Sequence, residues 1–192
     1  PKVILLAKLE FFNPGGSIKD RIGLEMINSA EKSKKLTKNG IVIEATGAGN
    51  TGIGLVMTAA VKGYKTVLVI PDKVSEEKRN LLRAYGAKVV VAPTAVPPED
   101  ERSYYKVTEK LVKETSNVFH PNQYYNPDNP KTHFQSTGPE IWKQTKGKVT
   151  HVVIGMGTGG TISGIGKFLK KKNSNIKIIG VDSIGSIFYE YF

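Results

Sequence analysis

Val149-Thr-His-Val-Val-Ile154, followed at once by Gly155-Met-Gly-Thr-Gly-Gly-Thr161, is the stretch that decides the fold. A short β-branched apolar run reads as a buried strand. The glycines after it permit a tight turn and a close approach of backbone amides to a ligand. The segment Thr161–Lys171 behind them is helical in pattern. Strand, glycine turn and helix in that order is half of a strand-helix-strand unit, and the next apolar run, Ile176–Val181, supplies the other strand. The rhythm extends backwards. Strand-like runs fall at Val3–Lys8, Ile41–Glu44, Thr66–Ile70 and Lys88–Ala92. Helical patterns separate them at Thr51–Lys62, Ser75–Tyr85, Glu101–Thr115 and Gly138–Gln144. A further helix is expected after Ser17, with Ile18, Ile22, Met26 and Ala30 on one face. Ser75 reads as a helix start and Gly86 as its stop. Apolar strands alternating with helices predict an α/β fold whose parallel sheet is helix-covered on both sides. Pro93–Pro98 and His120–Pro130 interrupt the pattern and read as loops beside a working site.

The chain has 192 residues, long enough to bury a substantial core. It has no cysteine, which excludes disulfides, thiolate metal sites and a cysteine nucleophile. That composition favours a reducing compartment, so a cytoplasmic location is expected. No apolar run approaches the length needed to cross a bilayer, and no membrane partner is expected. The abrupt apolar start at Val3-Ile-Leu-Leu6 leads us to expect that the natural N-terminus lies further upstream. The net charge of +11 is spread over lysine clusters near predicted helix ends, where cations suit the helix dipole. It reads as a solvated surface rather than a nucleic-acid face.

Three segments carry chemistry. In Asn13-Pro-Gly-Gly-Ser-Ile-Lys-Asp-Arg21 a turn leads to Ser17, a good helix cap, and places Lys19 in the first helical turn. The positive end of the helix dipole disfavours an ammonium there, and an amine that loses its proton readily is the kind that forms a Schiff base. The bland alternative is an exposed lysine in an ordinary capped helix. Thr46-Gly-Ala-Gly-Asn-Thr-Gly52 is a second glycine loop opening a helix, suited to a carboxylate or phosphate, with Asn50 able to hydrogen-bond a ring hydroxyl. The third is the opening stretch itself. Gly155, Gly157 and Gly160 satisfy G-x-G-x-x-G, and Asp182 ends the next strand, as in a dinucleotide-binding unit. Alternatively, Thr158 and Thr161 help wrap a single terminal phosphate. A dinucleotide enzyme needs one such loop and has no use for the lysine. A cofactor with an aldehyde at one end and a phosphate at the other needs all three segments. His120, His133 and His151 lack metal-ligand spacing and read as ordinary loop or strand residues, so no metal is expected.

With these segments in view, Ser17-Ile-Lys-Asp-Arg21, Gly49-Asn-Thr-Gly-Ile-Gly54, Thr137-Gly-Pro-Glu-Ile-Trp142 and Gly157-Thr-Gly-Gly-Thr161 resemble the fold-type II pyridoxal-phosphate enzymes, in the cystathionine β-synthase and cysteine synthase branch. The resemblance implies two parallel-sheet, helix-covered subdomains of the tryptophan synthase β-like type, with pyridoxal 5'-phosphate in the cleft. Residues 1–44 and 136–192 would belong to the larger, cofactor-binding domain, and residues 45–135 to a smaller mobile one on the substrate side. It assigns Lys19 as the catalytic Schiff-base lysine, Asn50 to the ring oxygen, and Gly157, Thr158, Gly159, Gly160 and Thr161 to the phosphate. Thr46, Gly49, Thr51 and Gln123 are assigned to the substrate carboxylate. The implied reaction is β-replacement on serine or an activated serine, with a thiol as second substrate and a homodimer as the assembly. Leu5–Gly16, Ser103-Tyr-Tyr105 and Val181–Ile187 are more similar to the cystathionine β-synthases, which use homocysteine. The alternative is a cysteine synthase using sulfide. More distant readings are a nicotinamide-dependent oxidoreductase and a non-catalytic relative. The sequence departs from the branch in two ways. The loop Thr46–Thr51 has one residue inserted and lacks a serine hydroxyl. The chain also ends before the hydroxyl residue expected at the pyridine nitrogen, so it is expected to be C-terminally truncated.

Overall fold

The computed structural model describes residues 3–47 and 49–186, so Ala48 of the asparagine loop and the stretch from Ile187 to Phe192 lie outside the described residues. Residues up to Asn122 form one compact unit and those from Gln123 onward a second.

The first unit is built on a four-stranded sheet in the order β3-β2-β1-β4. Its strands are β1 (Ile41–Ala45), β2 (Lys65–Pro71), β3 (Ala87–Ala92) and β4 (Val118–Phe119), all paired in parallel. β2 is flanked on both edges, and Leu68, Val69 and Ile70 are fully buried, as expected of an apolar run covered on both faces. Around the sheet lie α1 (Lys19–Lys32), α2 (Asn50–Lys62), α3 (Glu76–Ala84) and α4 (Tyr104–Glu114). α2 is apolar almost all round because it serves two cores. Leu55 and Ala59 pack with Ile27, Val42 and Phe119, while Ile53 and Val56 pack with Leu68, Ile70 and Leu82. Ser75 caps α3 by accepting a hydrogen bond from the Lys78 N–H at 3.4 Å, and Gly86, in the left-handed region, follows its end.

α1 and α2 approach so closely that side chains are excluded between them. A Cβ on Gly23 would collide with the Gly54 carbonyl carbon, and one on Gly54 would lie 2.7 Å from the Lys19 carbonyl oxygen. This contact and the β1–β2 ladder tie α1, α2 and the sheet together within the first unit.

The second unit contains α5 (Asp128–Gln135), α6 (Thr137–Gln144), β5 (His151–Gly155), α7 (Gly160–Lys172) and β6 (Lys177–Val181). β5 and β6 pair in parallel with α7 between them in the chain, the strand-turn-helix-strand order that the opening stretch predicts. Ile165, Leu169 and Ile176 form its core, with Ile141 and Trp142 packed against it.

Three elements differ from expectation. Val3–Lys8 is not a strand; Val3, Ile4, Leu5 and Leu6 are exposed and make no ladder among the described residues, and a single 3-10 turn follows at Glu10–Phe12. β4 is only two residues long, too short to show a period. The segment His120–Pro130, read as a loop, contains the start of α5. Pro130 stands third in that helix, where a missing N–H leaves no hydrogen bond unmade. Among the described residues no helix is long and apolar enough to cross a membrane.

Gly54→Ala is expected to destabilise the protein by about 1–3 kcal/mol, the usual effect of overpacking a closed contact. Val61→Ala, on the exposed side of α2, should stay within about 0.5 kcal/mol of wild type. Urea denaturation of both variants measures the difference.

Candidate active site

Lys19 opens α1 behind a turn that is tied down at several points. The Arg21 guanidinium donates to both Glu10 carboxylate oxygens, from Nε at 2.8 Å and from NH2 at 2.9 Å, and Asn13 Nδ2 donates to the same carboxylate at 2.7 Å. Burial alone would raise the Glu10 pKa, but these hydrogen bonds outweigh it and hold the carboxyl below the ordinary glutamate value. The Gly15 N–H donates to Asp20 Oδ2 at 2.5 Å, and the Lys19 N–H to Ser17 Oγ at 3.2 Å. Ser17 thus serves the start of α1, although Ile18 holds the formal cap position. Burial pushes the Lys19 amine below the ordinary lysine pKa. The direction agrees with the sequence reading, and desolvation is a cause which that reading did not name.

The asparagine loop leaves the carboxyl end of β1. Thr46 is buried, and its N–H continues the ladder by donating to the Val69 carbonyl at 3.0 Å. Gly49 takes the left-handed conformation, with φ of 83°, that a side chain would resist, and so turns the chain into α2. Asn50 is the first residue of that helix, and Thr51, the second, is buried. Because Gly54 lies against the Lys19 backbone, the helix that begins with Lys19 and the one that begins with Asn50 are locked together near their starts. A shallow recess beside the loop is lined by Gly47, Lys73, Pro93, Thr94, Tyr104 and Tyr105.

The second glycine loop ends β5, and Met156 N–H donates to the Val181 carbonyl at 2.8 Å. Gly157 and Gly159 face open space, since a Cβ on either would meet no atom within 4 Å, and Gly159 has a φ of 78°. Gly160 is different: its Cβ would strike the Asn129 side chain of α5. Asn129 Nδ2 donates to Thr158 Oγ1 at 2.9 Å and to the Gln123 carbonyl at 3.0 Å, while its Oδ1 is buried and without a partner. Thr161 Oγ1 lies 3.2 Å from His133 Nε2. Gln123 itself is buried. The loop therefore combines backbone open to a ligand, two hydroxyls and the start of a 13-residue helix, the makings of an anion cradle.

Asn129 and His133 were not singled out for this site from sequence. They lie four apart on α5, and both bond residues of the glycine loop. The spacing is visible only once a helix is recognised there. Asp182 is occupied in a turn, accepting hydrogen bonds from the Ser183 N–H at 2.9 Å and from the Ser186 hydroxyl. His120 Nε2 lies 3.9 Å from Glu44 Oε2, and burial pushes its pKa down. Among the described residues no group of three or more His, Asp or Glu side chains is placed to hold a metal.

Parallel strands with helices between them define an α/β protein; the first unit carries a desolvated amine at a helix start, and the second a glycine loop with the makings of an anion cradle. A family model described as pyridoxal-phosphate dependent enzyme matches residues 1–192, and the chain belongs to that family. It is 51% identical over 186 residues to a cystathionine beta-synthase of Apis mellifera, covering 97% of this chain and 37% of that protein. It is 47% identical over 176 residues to a cysteine synthase of Staphylococcus aureus (strain N315), covering 91% of this chain and 55% of the relative. The crystal structure of an O-acetylserine dependent cystathionine beta-synthase from Helicobacter pylori superposes with a TM-score of 0.89 at 39% identity, covering 95% of this chain and 58% of that one. The chain thus spans between about a third and three fifths of the length of these proteins, and its fold is the fold-type II arrangement. The family's cofactor is pyridoxal 5'-phosphate, and the residues present fit it: burial makes the Lys19 amine easier to deprotonate than an ordinary lysine, and the open backbone at Gly157 and Gly159 leaves room for a phosphate.

Desolvation of the Lys19 ammonium has a pH signature. The penalty applies while the amine is charged, so it is complete below the lowered folded-state pKa and vanishes as pH rises toward the unfolded value of about 10.4. Lys19→Met is expected to raise the urea midpoint of the cofactor-free protein at neutral pH, with the gain shrinking as pH approaches about 10. Equal midpoints at neutral pH would show that the amine is fully solvated.

Proposed function

We propose that these residues form the pyridoxal-phosphate site of an enzyme that replaces the β-substituent of serine, or of an activated serine, with a thiol. The observation that carries the reading is the desolvated Lys19 amine at the start of α1, within Ser17-Ile-Lys-Asp-Arg21 of a chain that belongs to this family. A neutral amine is the nucleophilic form, and Lys19 Nζ would hold the cofactor through its aldehyde carbon. The same Nζ, when not bonded to the cofactor, would take the α-proton of the amino acid. Bound there, pyridoxal phosphate supplies the electron sink for the electron pair that this proton leaves behind. Loss of the β-substituent and addition of the thiol sulfur at the same carbon then complete the replacement.

The other roles follow the chemistry of the groups. Gly157, Thr158, Gly159, Gly160 and Thr161 hold the phosphate through backbone amides and hydroxyls. Asn50 donates to the ring oxygen. Thr46, Gly49, Thr51 and Gln123 bind the substrate carboxylate. For the thiol we favour homocysteine, because the Apis relative at 51% identity is a cystathionine beta-synthase. Sulfide is the second reading, supported by the cysteine synthase at 47% identity. A cytoplasmic homodimer is part of the same proposal.

The test is a visible absorption spectrum of the protein after addition of pyridoxal phosphate, with Lys19→Ala alongside. A yellow band present in wild type and absent from the variant supports both the cofactor and the lysine. A band that survives in Lys19→Ala would overturn the assignment of Lys19. Given the band, incubation with serine or O-acetylserine plus homocysteine or sulfide separates the two thiols by product.

A further inference from the structure

We propose that His133 is a positioning residue which carries its proton on Nε2, and thereby leaves the Thr161 hydroxyl hydrogen free to bond the cofactor phosphate. This rests on the reading that Gly157–Thr161 is the phosphate site. His133 is fully buried on α5, and each ring nitrogen faces a hydroxyl: Nδ1 lies 2.9 Å from Thr137 Oγ1 and Nε2 3.2 Å from Thr161 Oγ1. A neutral imidazole has one donor nitrogen and one acceptor, so two arrangements are open to it. With the proton on Nδ1, the ring donates to Thr137 and accepts from Thr161. The only proton of the Thr161 hydroxyl is then spent on the ring, and lone pairs face the anion. With the proton on Nε2, the ring donates to Thr161 and accepts from Thr137. Thr161 then keeps its own hydrogen for a phosphate oxygen, and a bound anion selects this state.

The neighbouring hydroxyl follows the same plan. Thr158 Oγ1 accepts from Asn129 Nδ2 at 2.9 Å and from the Gly160 N–H at 3.4 Å, so its hydrogen is likewise released. The amide orientation of Asn129 is settled by Nδ2 also donating to the Gln123 carbonyl at 3.0 Å, since a carbonyl can only accept. That orientation leaves Oδ1 buried without a partner. α5 therefore presents two donors, from residues four apart, to the two hydroxyls of the loop. Thr137, in the motif Thr137-Gly-Pro-Glu-Ile-Trp142, sets the far end of the chain by donating to Nδ1.

The experiment compares pyridoxal phosphate with pyridoxal, which lacks the phosphate, as titrants of wild type, His133→Met, His133→Gln and Thr161→Val. Losing one hydrogen bond to a charged group is expected to weaken pyridoxal-phosphate affinity about tenfold or more in His133→Met and Thr161→Val. Pyridoxal affinity should be unchanged. His133→Gln, whose amide can still donate toward Thr161, should restore most of the loss. Nitrogen-15 NMR of the cofactor-loaded wild type should show the His133 proton on Nε2, a reading that needs no variant to fold. A proton on Nδ1, or variants that keep the wild-type preference for the phosphorylated titrant, would overturn the positioning role alone. A wild-type protein that binds both titrants equally, or neither, would instead remove the phosphate-site reading itself.

Discussion

Where α1 meets α2 the two backbones touch, and no side chain fits between them. Gly23 on one helix and Gly54 on the other make that approach possible, and most of the first unit's chemistry depends on it. Gly54 sits against the carbonyl of Lys19, so the start of α1 is held against the first turns of α2, where Asn50 and Thr51 stand. A methyl group at either glycine would wedge the helices apart and shift the start of α1 that bears the lysine. The turn before Lys19 is then fixed from the other side, by Arg21 on Glu10 and by Gly15 on Asp20. The amine at this helix start is desolvated, and its pKa is lowered in the direction that nucleophilic chemistry requires.

The second unit solves a related problem with the same means. α5 and α7 pack closely because Gly160 and Gly164 let Asn129 and the Pro130 carbonyl come near. The close approach brings Asn129 and His133 within reach of Thr158 and Thr161. In both units a glycine-bearing segment is therefore divided in function. Some of its glycines admit a neighbouring helix, and others leave backbone bare toward a ligand.

The parallel α/β plan was legible because its strands are apolar, β-branched runs, buried along β1 and β2 and more exposed along β5 and β6, so β1, β2, β3, β5 and β6 fall within a residue or two of where the sequence puts them. The failures share a cause, which is that local pattern does not report tertiary supply. Val3–Lys8 has strand composition but makes no ladder among the described residues. α5 was hidden because Asn126, Pro127 and Pro130 read as loop chemistry, whereas these residues also suit the first turn of a helix. With α5 hidden, so was the pairing of Asn129 with His133, and His133 looked like an isolated histidine. Lys19 was legible through its place at a helix start, whereas its desolvation by burial is revealed only by the packed fold.

A nucleotide-binding fingerprint and a single-phosphate cradle share the spacing G-x-G-x-x-G, since both ask a chain to turn tightly from a strand into a helix. The pattern cannot separate them, but the space around each glycine does. In a dinucleotide fold the third glycine admits a strand, whereas Gly160 admits Asn129, a polar side chain from another helix whose amide is committed to Thr158. The acidic residue that would grip a ribose is also spent, because the Asp182 carboxylate closes a turn with Ser183 and Ser186. What remains is bare backbone at Gly157 and Gly159 with two hydroxyls steered from beneath, enough polar surface for one phosphate. A dinucleotide would ask more of this loop than it offers: a strand packed against the third glycine and an acidic side chain free to grip a ribose.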